Sequence, residues 1–470
     1  MKKIFLVAGC WLLVTCSFGQ EITQKLQKAF EQFEADPQLK HAISSLYVID
    51  ANTGKVVFDK NSQIGLAPAS TQKIITAATA FELLGKDYGY KTLFYLNGEV
   101  KKDVLKGDLI IKGSGDPTLG SWRYSATKRD IIVSAIVGML QQKQIKTITG
   151  DIIIDNSGFE TSTIPGGWIW DDIGNYYGAG ESGLNWNENQ YDLILKSGTK
   201  IGDPVSIIGT SPELQVYSLV NELKSAKAGS GDNAYVYIAP YSSFGFIRGT
   251  IPVNEANFKI SGSFPDPSAQ FIAELQNKLT ENKIELKGKG ISSLNLKVNG
   301  KKMEYTSQPF NFIISPSLDS IIYWFLKKSI NLYGEALVKT FAYEKKGFGS
   351  TDSGVAILQD FWKQKGIDEE ELNISDGSGL SPQNRVTTHV QVEILKYAKQ
   401  QPWFPYYYDA FPLYNDMKMK SGTIKDVKGF CGYHKAKGGQ EYIFSFLVNN
   451  YSGRASELVN KMYKVLNVLK

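Results

Sequence analysis

The sequence is poor in the residues that bind metals or form disulfides. Its 470 residues include three histidines, and none of them stands in an H-E-x-x-H arrangement. Of three cysteines, Cys10 and Cys16 lie in an apolar N-terminal segment, so Cys431 has no partner in the rest of the chain. These absences exclude an internal disulfide once that segment is removed, and the sequence predicts neither a metal site nor a cofactor.

The sequence also lacks a strong excess of charge of one sign. Lys and Arg number 52 against 47 Asp and Glu, and both kinds are spread along the chain. Because a nucleic-acid partner would need a basic stripe, the sequence excludes this class of partner. The length exceeds that at which a single core usually stops growing, so two or more domains are expected.

An apolar run follows two lysines at the N-terminus, at residues 4–15. It is shorter than the roughly 20 residues that cross a bilayer, and Ser17-Phe18-Gly19 offers small residues at a cleavage spacing. The pattern predicts a signal peptide over residues 1–19, cleaved near Gly19, and export from the cytoplasm. Lipidation at Cys16 is an alternative that the poor fit of its neighbours disfavours.

The order of predicted elements indicates a mixed α/β protein with one long insertion. Strands at 43–49 and 55–59 form a hairpin before an apolar helix, and a mainly β region with one helix follows from about 91 to 305. Beyond it, helical periodicity covers 315–345, 352–365 and 386–400, strands cover 417–423, 429–435 and 442–449, and a helix covers 456–470. Such an arrangement predicts a discontinuous domain assembled from both chain ends.

A candidate nucleophile opens the first predicted helix, Thr71 to Leu84. In Ser70-Thr71-Gln72-Lys73 the lysine follows the serine by three residues, which places its amine on the same helical face. A serine hydroxyl is a weak nucleophile unless a neighbouring base takes its proton. A lysine can be that base only when neutral, and burial or a second nearby cation such as Lys420 favours the neutral form.

The same spacing occurs at Ser125-Ala126-Thr127-Lys128 and at Ser197-Gly198-Thr199-Lys200, so the pair alone is a weak signal. Ser125 is better interpreted as the N-cap of its helix and Ser197 as a turn residue. Ser70 differs because two further elements follow it in order, Ser329-Ile330-Asn331 and Lys420-Ser421-Gly422-Thr423, the trio known from penicillin-recognising serine enzymes.

Each element suits a separate task. Ser329 can relay a proton between Lys73 or Lys420 and a leaving amine, and Asn331 can hydrogen-bond the substrate's peptide carbonyl. The cation of Lys420 and the hydroxyls of Ser421 and Thr423 can bind a substrate carboxylate. Between them, Gly422 would let a peptide lie flat against the strand.

Segments outside these elements carry a family resemblance. They are Gly113-Ser114-Gly115-Asp116-Pro117-Thr118-Leu119, Trp168-Ile169-Trp170-Asp171-Asp172 leading to Tyr177-Gly178-Ala179, and Asp376-Gly377-Ser378-Gly379-Leu380-Ser381. With them, nearly the whole mature chain resembles the class C low-molecular-mass penicillin-binding proteins, the D-alanyl-D-alanine carboxypeptidases and endopeptidases typified by penicillin-binding protein four.

The resemblance implies a penicillin-recognising serine transpeptidase-like (β-lactamase-like) α/β domain over residues 20–95 and 305–470. It implies two inserted domains, one over 96–190 and 265–304 and one over 191–264. The implied activity is periplasmic trimming of peptidoglycan stem peptides through an acyl-enzyme on Ser70, with β-lactams as covalent inhibitors. In relatives an inserted Asp binds the diaminopimelate side chain, and Asp172 matches that position, with Asp171 as the alternative.

Two alternatives stay open on the sequence. A non-catalytic peptidoglycan-binding protein could keep the same fold. Such a protein would have no need to keep all five of the residues Ser70, Lys73, Ser329, Asn331 and Lys420. Separately, the predicted C-terminal helix carries an apolar side that could lie on a membrane. Packing of that side against the protein's own sheet is the expected outcome.

Overall fold

A computed structural model describes residues 21–214 and 217–470, so the predicted signal peptide and its two cysteines lie outside the described residues. The contacts divide the chain into two units. Of the described residues, the first contains those up to Glu82, Ile322–Ser329 and Leu358–Lys470, and the second contains those of Leu83–Ile321 and Ile330–Ile357. The three domains expected from the resemblance stay a prediction.

The helices agree with most of the sequence periodicity. In chain order they cover 21–34, Lys73–Leu84, Arg129–Gln142, Trp170–Ile173, Pro267–Glu281, Ser293–Val298, Leu318–Lys328, Asn331–Lys346, Thr351–Gln364, Thr388–Lys399, Phe404–Asp409 and Ala455–Leu466. Within the described ranges, none of these helices combines the length and the apolar character needed to cross a membrane.

The first unit is built on a six-stranded antiparallel sheet. From one edge to the other its strands are Leu413–Tyr414, Met417–Ile424, Val427–Lys435, Glu441–Asn449, Ile43–Asp50 and Val56–Lys60. The predicted hairpin and the three predicted late strands are therefore confirmed within one or two residues. A short ladder joins Leu372–Asn373 to Arg385–Val386.

Both chain ends fill one apolar core on this sheet. Leu26 and Phe30 of the N-terminal helix lie in the same buried cluster as Phe446 of the sheet and Leu458 and Met462 of the C-terminal helix. The apolar side of the C-terminal helix is thus buried against the protein's own sheet. Packing against the sheet was the expected outcome, and membrane binding was the alternative.

The second unit contains a mixed sheet and two smaller ones. The seven-stranded sheet consists of Lys91–Lys101, Val104–Lys112, Thr147–Ile148, Ile152–Asp155, Glu285–Leu286, Gly290–Ser292 and Asn311–Ile314. A three-stranded sheet joins Gln190–Lys196, Ser206–Ser211 and Phe258–Ser263, and a four-stranded sheet joins Ser218–Asn221, Lys224–Ala226, Asn233–Tyr237 and Phe244–Pro252.

The insertion holds more helix than the sequence interpretation expected. Helix Pro267–Glu281 was not predicted, although Asp266 caps its first turn and a proline occupies its first position. Phe271, Leu275 and Leu279 recur at the helical spacing of four and bury one face in the core of the large sheet. These helix signals were present in the sequence.

The two other Ser-x-x-Lys matches have structural explanations, and so does Ser293-Leu294-Asn295, which repeats the Ser-x-Asn spacing of Ser329-Ile330-Asn331. Ser197 accepts a bond from the Glu255 amide in a turn, as expected. Ser125 does not cap the long helix as predicted, because it lies in a 3₁₀ turn and the helix begins at Arg129. Asn295 serves the capping box of the short helix that starts at Ser293.

Candidate active site

Ser70 lies in a tight turn that directly precedes a buried helix. The turn is a 3₁₀ helix, Ala69–Gln72, and the α-helix begins at Lys73. Ala69 has a φ of 46°, a left-handed conformation that non-glycine residues rarely adopt. Such strain persists only where the surroundings enforce it, and it is common at active sites. Ser70 itself is half-buried.

Lys73 is completely buried and its amine contacts the serine. The Lys73 Nζ lies 2.9 Å from the Ser70 Oγ and donates to the Ser378 carbonyl at 2.7 Å. The Phe325 ring lies 5.9 Å from the same nitrogen. The lysine is therefore placed to exchange a proton with the Ser70 hydroxyl, as the spacing of three residues predicts.

A loop far along the chain positions this lysine. The carboxylate of Asp376 is buried and accepts bonds from the amides of Gly379 and Ser381 at 2.8 and 2.7 Å. Gln72 donates to the Asp376 carbonyl at 2.6 Å. These bonds fix the loop against the serine turn, so the Ser378 carbonyl faces the Lys73 amine.

Two glycines allow main chain to approach the serine turn closely. Gly379 has a φ of +81°, and a Cβ there would lie 2.0 Å from the Ala69 carbonyl oxygen. A Cβ on Gly422 would lie 2.5 Å from the Pro68 carbonyl oxygen and 3.0 Å from the Ser70 nitrogen. The structure thus explains Gly422 by packing against the nucleophile's turn, a reason that the sequence did not provide.

Ser329 and Lys420 form a second serine–lysine contact in the same unit. Ser329 joins two helices with a φ of 59°, and its Oγ lies 2.9 Å from the Lys420 Nζ. The Lys420 amine also donates to the Ser421 carbonyl at 2.8 Å. Burial, with a smaller contribution from the positive charge of Lys428, lowers the pKa of Lys420 to about 7. At neutral pH Lys420 can therefore both hold and release a proton.

The remaining residues of the third element lie along the strand Met417–Ile424. Ser421 is half-buried, Gly422 is buried and Thr423 is exposed. The Thr423 Oγ1 accepts a bond from the Lys428 Nζ at 2.7 Å. Lys428 lies on the next strand and was not among the residues that the sequence singled out.

The second unit contains the other two predicted site residues. Asn331 begins the helix Asn331–Lys346, and its Nδ2 donates to the Tyr177 carbonyl at 2.7 Å. The Tyr177 hydroxyl hydrogen-bonds Asp172, which is half-buried. Burial, with a smaller contribution from the neighbouring Asp171, raises the pKa of Asp172 to about 6. Asp171 is exposed and accepts a bond from the Tyr237 hydroxyl at 3.1 Å.

Sequence reasoning missed three residues that hold this machinery. Asp376 and Ser378 stand in a segment that was recognised only for its family resemblance, and Tyr177 stands in another. No local pattern reveals that the carbonyl of Ser378 meets the amine of a lysine so distant in the chain. Among the described residues no cluster of three or more His, Cys, Asp or Glu side chains could hold a metal ion.

The first unit thus contains two serine–lysine contacts, and in one of them the lysine is completely buried. Serine enzymes that work through an acyl-enzyme have such contacts in their active sites. Comparison with known proteins agrees with this class. A family model described as D-Ala-D-Ala carboxypeptidase 3 (S13) matches residues 26–467. The chain belongs to this family, and the predicted family and the predicted enzyme class, a serine-type carboxypeptidase, are confirmed.

Individual relatives span most of the chain. The D-alanyl-D-alanine carboxypeptidase of Actinomadura sp. (strain R39) is 25% identical over 466 residues, covering 93% of this chain and 83% of that protein. A crystal structure of penicillin binding protein 4 (dacB) from Haemophilus influenzae matches with a TM-score of 0.78 at 21% identity, covering 96% of this chain and 98% of that chain.

The same Haemophilus influenzae protein complexed with a novel β-lactam matches with a TM-score of 0.73 at 20% identity, covering 96% of this chain and 99% of that chain. At this level of identity the likeness establishes the fold. The predicted mixed α/β, penicillin-recognising fold class is confirmed.

Proposed function

We propose that this protein is a periplasmic serine D-Ala-D-Ala carboxypeptidase and D-alanyl-diaminopimelate endopeptidase that trims peptidoglycan. The observation that carries the proposal is the 2.9 Å contact between the Ser70 hydroxyl and the completely buried Lys73 amine. Membership of the D-Ala-D-Ala carboxypeptidase 3 family supports the substrate class. β-Lactams would acylate the same serine.

In the first half of the reaction Lys73 accepts the Ser70 proton as the Oγ attacks the carbonyl carbon of the penultimate D-alanine. The negative charge that develops on the carbonyl oxygen needs backbone N–H donors. The Ser70 amide, which lies beside the strand residue Gly422, is one such donor. The peptide C–N bond then breaks and leaves an ester on Ser70.

The leaving nitrogen must receive a proton as that bond breaks. Ser329 is suited to deliver it, because its hydroxyl contacts the Lys420 amine and Lys420 can replace the proton. The proton that Lys73 took from Ser70 then passes to Lys420 through the Ser329 hydroxyl, so that Lys73 is neutral again. In the second half a water molecule attacks the ester. Lys73 takes a proton from that water and gives it to the Ser70 oxygen as the ester C–O bond breaks, which releases the shortened peptide.

Four further groups would bind the substrate. The hydroxyls of Ser421 and Thr423 can donate to a carboxylate beside the reacting bond, and the Asn331 amide can bond a peptide carbonyl. By the family resemblance Asp172 binds the amino group of the diaminopimelate side chain. A half-buried carboxylate that is charged above about pH 6 suits a cationic group.

The proposed location follows from the N-terminal sequence. Residues 1–19 have the charged start, apolar run and small residues of a signal peptide cleaved near Gly19. Peptidoglycan is an extracytoplasmic substrate, which agrees with export. N-terminal sequencing of the mature protein from the periplasmic fraction tests this part of the proposal.

Covalent labelling tests the central claim. Purified protein from residue 20 onward is incubated with a fluorescent penicillin, and the labelled peptide is identified by mass spectrometry. We expect label on Ser70, none on a Ser70→Ala variant that melts at the same temperature, and release of D-alanine from pentapeptide muropeptides by the unmodified protein. A folded protein that takes up no label, or a labelled Ser70→Ala variant, would favour the non-catalytic binding protein instead.

A further inference from the structure

A lysine that the sequence analysis did not single out lies beside the third catalytic element. Lys428 is the second residue of strand Val427–Lys435, and Thr423 is its direct partner on the neighbouring antiparallel strand. Directly opposed residues in an antiparallel pair point to the same face of the sheet. Lys428 and the exposed Thr423 hydroxyl therefore share one face.

The contacts of Lys428 hold its amine at this position. The Nζ donates to the Thr423 Oγ1 at 2.7 Å and lies 5.0 Å from the centre of the Phe430 ring. Phe430 lies two residues along the same strand, so both side chains stand on one face. The ring restricts the lysine, and the hydroxyl orients one of its three N–H donors.

The surroundings leave the charge of Lys428 uncompensated. Burial lowers its pKa to about 8, and among the described residues no acidic side chain opposes this effect. Burying an ammonium group without a carboxylate partner costs desolvation free energy. An anionic group of a bound ligand would offset this cost. The side chain is also long enough to move by a few ångströms toward such an anion.

Lys420 is poorly placed to serve as that anion's partner. Its side chain is only 1% exposed, and its amine is engaged by the Ser329 hydroxyl and the Ser421 carbonyl. The roles that the sequence assigned to one lysine can thus be divided between two. Lys420 is suited to proton transfer inside the fold. Binding of the substrate carboxylate then requires a different, more exposed cation.

We propose that Lys428, together with Thr423, binds the C-terminal carboxylate of the substrate and so determines the preference for peptides with a free C-terminus. The inference rests on the proposed carboxypeptidase function. It adds a residue for specificity, because Lys428 touches the substrate's terminal group without taking part in bond breaking.

The test compares two peptides that differ only at the terminus, one ending in D-Ala-D-Ala with a free carboxylate and one ending in the corresponding amide. For Lys428→Met we expect kcat/KM on the carboxylate peptide to fall about 10- to 100-fold, mainly through KM, because a charged hydrogen bond is lost. The rate on the amide peptide should stay within about twofold of the unmodified enzyme.

Two variants control for structure. Lys428→Arg keeps the charge and should restore most of the KM, whereas Lys437→Met removes an exposed lysine two residues beyond the far end of the same strand and should change neither peptide's rate. An unchanged melting temperature of the Lys428→Met protein, together with its retained hydrolysis of the amide peptide, reports that the acylation machinery remains folded.

The outcomes separate the two proposals. If the unmodified enzyme releases D-alanine but Lys428→Met hydrolyses both peptides at unchanged or equally reduced rates, the role of Lys428 is refuted and the proposed function stands. If the unmodified enzyme acts on neither peptide and takes up no penicillin, the proposed function itself fails and the inference fails with it.

Discussion

The burial that suits Lys420 to its proposed role in proton transfer also affects the stability of the fold. Its amine is held inside the first unit by one hydroxyl and one carbonyl, and burial lowers its pKa to about 7. An unfolded chain titrates the same group near ~10.4. Between these two values the unfolded chain binds more protons, so the free energy of unfolding contributed by this group rises with pH.

Lys420→Met should remove this pH dependence. We expect the stability of the unmodified protein, relative to the variant, to rise between pH 7 and 9.5 with a slope approaching ~1.4 kcal/mol per pH unit. Urea unfolding at several pH values measures it. A variant at the exposed Lys437 should keep the slope of the unmodified protein, and parallel curves for Lys420→Met would contradict the low pKa.

Asp172 should control recognition of the diaminopimelate amino group in a pH-dependent way. Its pKa is raised to about 6 by burial, so the carboxylate is charged above that pH and neutral below it. For cross-linked peptides with a free diaminopimelate amine, KM should therefore rise as pH falls through about 6. Asp172→Asn should raise KM at pH 7.5 by about 10-fold and abolish the pH effect.

The neighbouring acid provides the matched control for that experiment. Asp171 is exposed and bonds the Tyr237 hydroxyl, so Asp171→Asn should leave the KM for the same peptides nearly unchanged. If instead Asp171→Asn has the large effect and Asp172→Asn has none, the family position has been aligned one residue out of register.

At the scale of elements, the junction between two helices gives the second motif its geometry. Helical periodicity predicted helix through 315–345, but the structure ends one helix at Lys328 and begins the next at Asn331. Ser329 occupies the junction with a φ of 59°. A left-handed serine costs of order 1 kcal/mol or more, so the strain is retained for the direction it gives the hydroxyl.

Substituting Ser329 separates strain from chemistry. Ser329→Gly and Ser329→Ala both remove the hydroxyl, and both should reduce kcat for D-alanine release at least ~100-fold. Only glycine adopts the left-handed conformation without strain, so Ser329→Gly should be more stable than Ser329→Ala by about 1 kcal/mol. Equal activity in Ser329→Gly and the unmodified enzyme would exclude Ser329 as the proton relay.

Sequence patterns predicted elements better than they predicted contacts between them. The spacing of Ser70 and Lys73 is local, and the structure brings their side chains together although the α-helix starts only at Lys73. The left-handed turn at Ser329 has no periodic signature. The approach of Gly379 to the serine turn depends on a loop conformation that no short segment encodes.

At the scale of the whole molecule, the first unit is closed by segments from opposite ends of the chain. Phe30 is buried and its ring lies 5.4 Å from that of Phe58 and 5.8 Å from that of Phe446. The hydrophobic pattern predicted the strands and the helix in the C-terminal part of the chain. It could not show that the N-terminal helix fills the same core, because that contact spans most of the sequence.

Phe30→Ala should therefore destabilise the sheet that carries the third catalytic element. We expect a loss of about 3–5 kcal/mol and faster hydrogen exchange in strands Ile43–Asp50 and Glu441–Asn449. Lys28→Ala on the exposed side of the same helix should cost less than about 0.5 kcal/mol. Unchanged exchange in those strands would show that the N-terminal helix is dispensable for the core.

Lys420 lies near the C-terminal end of the sequence, so it is synthesised long after Ser70. This order determines when a growing chain can first react with penicillin. Synthesis delivers Ser70 early, but strand Glu441–Asn449, which joins Ile43–Asp50 to Val427–Lys435, is made near the end. Penicillin should therefore not acylate Ser70 of a nascent chain until the final strands have been made. A premature stop codon in that last stretch would leave a product that neither trims the wall nor sequesters the antibiotic.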